Sequence, residues 1–406
     1  MNRALPPPRN LLRTAVIIVA ALVLLWLSTV ITLALVARER APMGFPWWTG
    51  TDARVAAASS VALDPRSRDF ARARRLAIAA LNREPVNVGA ARSLALVEDR
   101  MGHAARAARL FRYAESLSRR DLLTQLWLIE TNVRRNDIPE TLRHYDRAMR
   151  TSATGIAQLT PILVAAAADP AIRRDLVPLV ARRPPWWTPF MIALISDSQS
   201  GDALYDLVRS VRLDMRDGVE RAMMASALQR LVDLRSYDRA QALYRAARGT
   251  SANGALLRDG GFEQDSLLPP FDWAYTDQDG LAATRRTNDR ADGNALYLLA
   301  SAGRTGVAAR QLVLLPPGRY RLAGRAGDVP SGDVRPPKIA VRCLGDLRPA
   351  LIELAMTPGA ATRFGGTFAV PAGGCPAQML EIRPPSSLDE NVESWVDSIA
   401  LARIGS

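Results

Sequence analysis

The sequence predicts a multidomain α plus β chain: a single transmembrane helix, an α-solenoid and a C-terminal antiparallel β-sandwich. Three observations predict it. Residues 14–37 carry no charged side chain, a run long enough to cross about 30 Å of hydrocarbon as a helix. From Ser67 to Arg248, apolar and small residues recur at three-to-four spacing, the period of amphipathic helices. Beyond Ser251 that period stops, Gly and Pro become frequent, and short alternating runs appear between turn residues, the pattern of a sandwich. The predicted divisions are a cytoplasmic tail at 1–13, the span at 14–37, a linker at 38–66, the repeats at 67–250 and the sandwich at 251–406.

The chain has 406 residues and a net charge of +13. Lys338 is the single lysine, so the cations are almost all arginine. They are spread along the chain with no basic block interleaved with aromatics, and no nucleic acid is expected as a partner. A weak attraction to anionic lipid or acidic polysaccharide is left open. Arg3, Arg9 and Arg13 precede the apolar run, and Arg38 and Arg40 follow it beside Glu39. Positive-inside bias puts the N-terminus in the cytoplasm and the bulk of a single-pass protein in the periplasm, at a bacterial inner membrane. A cleaved signal peptide is the rival, but its apolar region runs only about 7–15 residues, and Leu35-Val36-Ala37 is a poor cleavage signal. Trp47 and Trp48 suit the far headgroup layer, or a glycan stack.

The repeats are plainest from Val88 to Arg150. Leu94 and Ala95, Gly102, then Ala107, Phe111 and Ala114 occupy the offsets later taken by Leu128 and Ile129, Asn136, then Thr141, Tyr145 and Ala148. The period is about 34 residues, and the segment resembles the tetratricopeptide-repeat family. Small residues let paired helices approach, and large ones fill the gap to the next hairpin. Ile129 departs from the pattern, where a small residue is usual. The resemblance implies a groove for a protein partner, with Arg92, Glu98, Gln125 and Asn132 on first helices as candidate lining. Phe70 to Leu81 reads as the second helix of a capping repeat, and Ala227 to Ala247 as a last hairpin.

His103 and His144 are the only histidines, and no spacing gathers them as metal ligands or a base. No nucleophile elbow, phosphate loop or dinucleotide fingerprint is present. Asp277 and Asp279 fall in a turn-like polar stretch. No catalytic residue and no bound cofactor is expected.

In the last 156 residues (251–406), predicted strands include Leu256–Arg258, Gly261–Glu263, Ala295–Leu299, Val307–Leu315, Arg319–Gly324, Ile339–Cys343, Ile352–Met356, Thr367–Val370, Met379–Ile382 and Trp395–Ile404. In Tyr320–Arg325 the alternation places arginines on the solvent face. Gly260-Gly261-Phe262-Glu263, Pro270-Phe271-Asp272-Trp273, Pro317-Gly318-Arg319-Tyr320 and Trp395-Val396-Asp397-Ser398-Ile399 follow in that order. Together they resemble the jelly-roll modules of the carbohydrate-binding type. That resemblance implies a structural calcium tying the first strand to the last, at Glu263 and Asp397, with backbone oxygens completing the shell. It also implies sugar-stacking platforms, for which Trp273, Tyr275 and Tyr297 are candidates. The carboxylates serve equally as turn caps, and the aromatics equally as core.

Cys343 and Cys375 are too few for a zinc site. They are either reduced buried thiols or a disulfide, which would place this module in an oxidising compartment. The expected function is a non-enzymatic, membrane-anchored scaffold, its solenoid binding a protein partner in cell-envelope or exopolysaccharide assembly. The alternative is a glycan-binding protein acting through the sandwich.

Overall fold

The computed structural model describes residues 51–249, 256–291, 293–345 and 349–405. The expected span at 14–37 and its flanking tail lie outside the described residues. No helix among the described residues is long and apolar enough to cross a membrane. The helices are α1 (Thr51–Leu63), α2 (Phe70–Arg83), α3 (Val88–Arg100), α4 (Ala104–Leu117), α5 (Leu122–Arg134), α6 (Ile138–Thr151), α7 (Ala153–Ala166), α8 (Pro170–Val180), α9 (Trp187–Asp197), α10 (Gly201–Val211), α11 (Gly218–Asp233) and α12 (Tyr237–Arg248). The chain divides into two compact units, Met1–Leu159 and Thr160–Ser406. The division falls within α7, and the later helices and the sandwich fall in one unit.

In the first unit the second helices begin at Phe70, Ala104 and Ile138, 34 residues apart each time. Capping side chains fix the starts: Asp69, Asn87, Asp121 and Asp137 each accept a backbone N–H three residues on, satisfying a donor the helix leaves free. The hairpin turns share one device. Gly102 and Asn136, also 34 apart, both adopt the left-handed conformation (φ 82° and 54°), and the residues after them bond back to Glu98 O and Asn132 O. That closure satisfies carbonyls at the helix end. Packing follows the small-and-large logic: Ala95, Ala107, Ala114 and Ala148 are fully buried, and Phe111 stacks on Trp127 of the next hairpin at 4.2 Å between ring centroids.

The predicted linker at 38–66 is corrected over its second part. Thr51–Leu63 is a helix, because its Ala-rich sequence favours one and its buried Ala58 and Ala62 cluster with Ala73 and Ala77. It supplies the first helix of the hairpin whose second helix, α2, the sequence showed.

Among the described residues the second unit carries five further helices and the sandwich. Its strands are β1 (Ala274–Tyr275), β2 (Asp277–Gln278), β3 (Leu281–Thr287), β4 (Asn294–Ala300), β5 (Ala309–Val313), β6 (Gly318–Gly327), β7 (Lys338–Cys343), β8 (Ile352–Ala355), β9 (Thr362–Val370), β10 (Gln378–Arg383) and β11 (Val392–Arg403). They form two antiparallel sheets, ordered β1-β5-β10-β7-β8 and β2-β3-β4-β11-β6-β9. Leu296, Leu298, Tyr320, Leu322, Ile339, Val341, Leu380, Ile382 and Val396 point between them into one core. The predicted strands at Leu256–Arg258 and Gly261–Glu263 are turns and bends instead. Asp259 is left-handed (φ 46°) and its carboxylate accepts from Glu263 N and Gln264 N, curling the chain. Asp279-Gly280, both with positive φ, is the two-residue turn joining β2 to β3, so Asp277 and Asp279 flank a hairpin tip.

Candidate functional site

The four candidate groove residues separate in the structure. Glu98 is fully buried and does not line a groove. Arg74 Nε donates to it at 2.6 Å, His103 Nδ1 lies at 2.7 Å and Arg106 at 3.3 Å. Burial alone would raise its pKa, but the hydrogen bonds from Arg74 and His103, with the nearby arginine charges, hold it below the usual carboxylate range. Glu98 thus ties α2 to α3 and α4. Gln125 is also fully buried. Its amide donates to Arg119 O and its carbonyl meets His144 Nδ1 at 2.7 Å. Both side chains are polar because they satisfy buried partners, not because they face a ligand.

Arg92 keeps a surface role. It pairs with Asp121 at 2.5 Å and lines an open groove with Asp52, Ser59, Ser60, Asn87 and Arg120. The groove lies on α1 and the N-terminal ends of α3 and α5. Asn132 is half-buried on α5 and is not among the residues lining this groove.

His144 is 2 % exposed. Since the Gln125 carbonyl can only accept, the Nδ1–H donates to it. Burial first, then Arg147 and Arg143, lower its pKa to about 4. Glu115 and Glu140 stand 3.7 and 3.9 Å away, too weakly placed to reverse this. Because the folded pKa is depressed below the free value near 6.5, the unfolded chain binds the proton first. This contribution is present above about pH 6.5 and is lost as pH falls toward 4, on the order of 3 kcal/mol in all. Urea midpoints at pH 7 and pH 5 are expected to drop steeply in the native chain and more shallowly in His144→Gln. Equal slopes would show that His144 is not the titrating group.

In the sandwich the aromatic candidates are not free platforms. Trp273 is 2 % exposed, packs on Phe262 and donates its Nε1–H to Asp259 O, so it belongs to the core. Tyr275 is half-buried with its hydroxyl inside. Tyr297 lies on the outer face of β4, where Arg286 sits over its ring at 5.0 Å. Trp395 shares that face yet is fully buried. Gly327 makes this packing feasible, since a Cβ there would meet the indole at 2.1 Å, and Asp328 accepts the indole N–H at 3.0 Å.

The two carboxylates implied for calcium both accept hydrogen bonds. Glu263 accepts from Asn294 N and Nδ2 at 2.7 and 2.8 Å, and buried Asp397 accepts from the Ser398 backbone and hydroxyl. No group of three or more His, Cys, Asp or Glu among the described residues could hold a metal ion; Glu263 and Asp397 both approach Gly261. The start of the module is nonetheless tied to β11, by Ile399 N to Gly260 O at 2.8 Å.

Cys343 and Cys375 form a disulfide. A second tie went unread in the sequence. Asp272, 3 % exposed, accepts from Tyr244 Oη at 2.7 Å, from Leu267 N and Leu268 N, and pairs with Arg248 and with Arg258 at 3.1 Å. Phe271 stacks on Tyr244. These contacts fasten α12 to the sandwich.

Fold and site together define a chain with a helical N-terminal part and a C-terminal antiparallel two-sheet β-sandwich. No family model matches the chain, and no curated protein matches it. Similar solved structures include a CBM4 structure (TM-score 0.28, 14% identity, 36% of this chain and 99% of that one) and a family 16 carbohydrate-binding module (0.28, 18%, 36% and 99%). Another is the CBM22-1 xylan-binding domain of Xyn10C from Paenibacillus barcinonensis (0.25, 14%, 36% and 93%).

Proposed function

We propose that this chain is a non-enzymatic scaffold that holds an extended segment of a protein partner in the groove of its first unit. The supporting observation is the groove itself. Two successive first helices, α1 and α3, and the turns leading into α3 and α5 present Asp52, Ser59, Ser60, Asn87, Arg92 and Arg120 to one open surface, while the neighbouring polar residues Glu98 and Gln125 are used internally. Mixed charge and hydroxyl groups suit a polar, extended peptide, whose backbone they can hydrogen-bond. Repeat stacking supplies the rigidity that keeps such a surface pre-formed. In this reading residues 14–37 tether the chain to a membrane and the bulk occupies an oxidising compartment, as the disulfide favours.

The test is retention of a partner by the full chain from its native membranes. Asp52→Arg together with Ser60→Trp, both exposed on α1, is expected to abolish retention of a defined partner without lowering the melting temperature. Undiminished retention would overturn the groove. Glycan binding by the sandwich is the second reading. With Trp273 in the core, an aromatic platform does not support it.

A further inference from the structure

We propose that the outer face of β6 and β9 binds a linear acidic polysaccharide. It is independent of the peptide groove and lies in the other unit. On β6, Tyr320, Leu322 and Ala326 are fully buried, which turns Arg319, Arg321, Ala323 and Arg325 outward. On β9, Phe364, Phe368 and Val370 point inward, turning Arg363, Gly365, Thr367 and Ala369 outward. Arg319 and Arg321 stand about 7 Å apart along the strand. Arg325 lies directly across from Arg363 in the β6–β9 register, a like-charge juxtaposition, with Asp397 across from Arg325 on its other side.

The outer face of the other sheet, by contrast, carries acids among its cations. There Lys338 and Arg342 pair with Glu353, and Arg342 and Arg383 with Glu381. Arg319, Arg321 and Arg363 make no ion pair with any described residue. The acids nearby are engaged: Glu393 with Arg286 and Asp328 with Arg290, while Asp397, across from Arg325 in the β11–β6 register, is fully buried and accepts from the Ser398 backbone and hydroxyl. Between the guanidinium groups the floor is small: Ala323, Gly365, Thr367 and Ala369, with Ala400 and Ala402 from β11 in register with β6. A polymer can therefore lie close to the sheet while planar guanidinium forks take its carboxylates in pairs.

Charge and surface select the polymer class. No exposed aromatic stands on β6 or β9 for bases to stack on. None of the large exposed apolar side chains lies on these strands, so nothing there would insert into a lipid layer. The disulfide argues for an oxidising space, away from the bulk of nucleic acid.

The test uses the full chain in phosphatidylcholine nanodiscs, with polygalacturonate, neutral dextran, duplex DNA and phosphatidylglycerol vesicles as separate probes. Polygalacturonate is expected to bind, more weakly as salt rises, and dextran not to bind. The triple variant Arg319→Gln, Arg321→Gln, Arg363→Gln is expected to lose at least tenfold in affinity with an unchanged melting temperature. A control triple on the helices, Arg109→Gln, Arg112→Gln, Arg135→Gln, removes the same charge and is expected to change affinity less than twofold. Equal losses in the two triples would overturn the assignment to this face. DNA or vesicles bound as tightly as polygalacturonate would overturn the ligand class, as would equal binding of dextran.

Discussion

Replacing Asp272 with alanine is expected to destabilise the second unit by about 3–5 kcal/mol, the range for breaking a buried charge pair and leaving its partners unpaired. The size follows from what Asp272 holds. Arg248 and Arg258 are only 14% and 19% exposed in their side chains, so water does not replace the lost carboxylate. Tyr244 loses the acceptor of its hydroxyl, and Leu267 N and Leu268 N lose theirs. Burial first, then the Asp272 hydrogen bond and charge, already push the Tyr244 phenol up, so the hydroxyl stays a donor across the physiological range. Urea unfolding of Asp272→Ala and of Tyr244→Phe, singly and combined, checks this. The two losses should fall well short of adding, because the residues share one network. A loss below about 1 kcal/mol for Asp272→Ala would mean α12 is held by apolar contact alone.

Reducing the disulfide is the second large effect. Cys343 ends β7 and Cys375 precedes β10, a separation of 32 residues that encloses β8 and β9. Loop entropy assigns such a closure about 3–4 kcal/mol. Cys343→Ala with Cys375→Ala is expected to lose that much, most visibly in urea. The neighbouring Gln378, fully buried, holds Leu315 N and Cys375 O, so this end should loosen before the opposite one. In the native chain neither cysteine should react with maleimide until a reductant is added. Labelling without reductant would remove the compartment argument along with the bond.

The helices were legible wherever local chemistry and packing agreed. Gly102 and Asn136 signalled their turns because Gly and Asn accept a left-handed backbone. Arg235 takes the equivalent place between α11 and α12 at φ 56°, and nothing in an arginine announces that. β4 was read from its apolar run to within one residue at each end, and β6 from its alternation, although its last three residues, 325–327, were not included. β3 was missed because Ala282, Ala283, Arg285 and Arg286 are poor strand formers. It is a strand because it pairs along its length with β4, a tertiary cause.

The site was less legible than the fold. Glu98 and Gln125 looked like groove residues because a polar residue on a helix resembles a solvated one until its neighbours are known. Trp273 looked like a platform for the same reason. Asp272 was quoted within a motif, but its partners Tyr244 and Arg248 lie 28 and 24 residues away, and no spacing rule connects them.

A photo-crosslinker at Ser60, in the groove, and one at Arg109, exposed on α4 outside it, put the scaffold reading to its most direct test. Both are introduced into the full chain in its native membrane. The expected result is one discrete protein adduct from position 60, absent from position 109 and abolished by Asp52→Arg. Adducts of the same pattern from both positions, or none from position 60, would contradict the claim that this groove holds a partner.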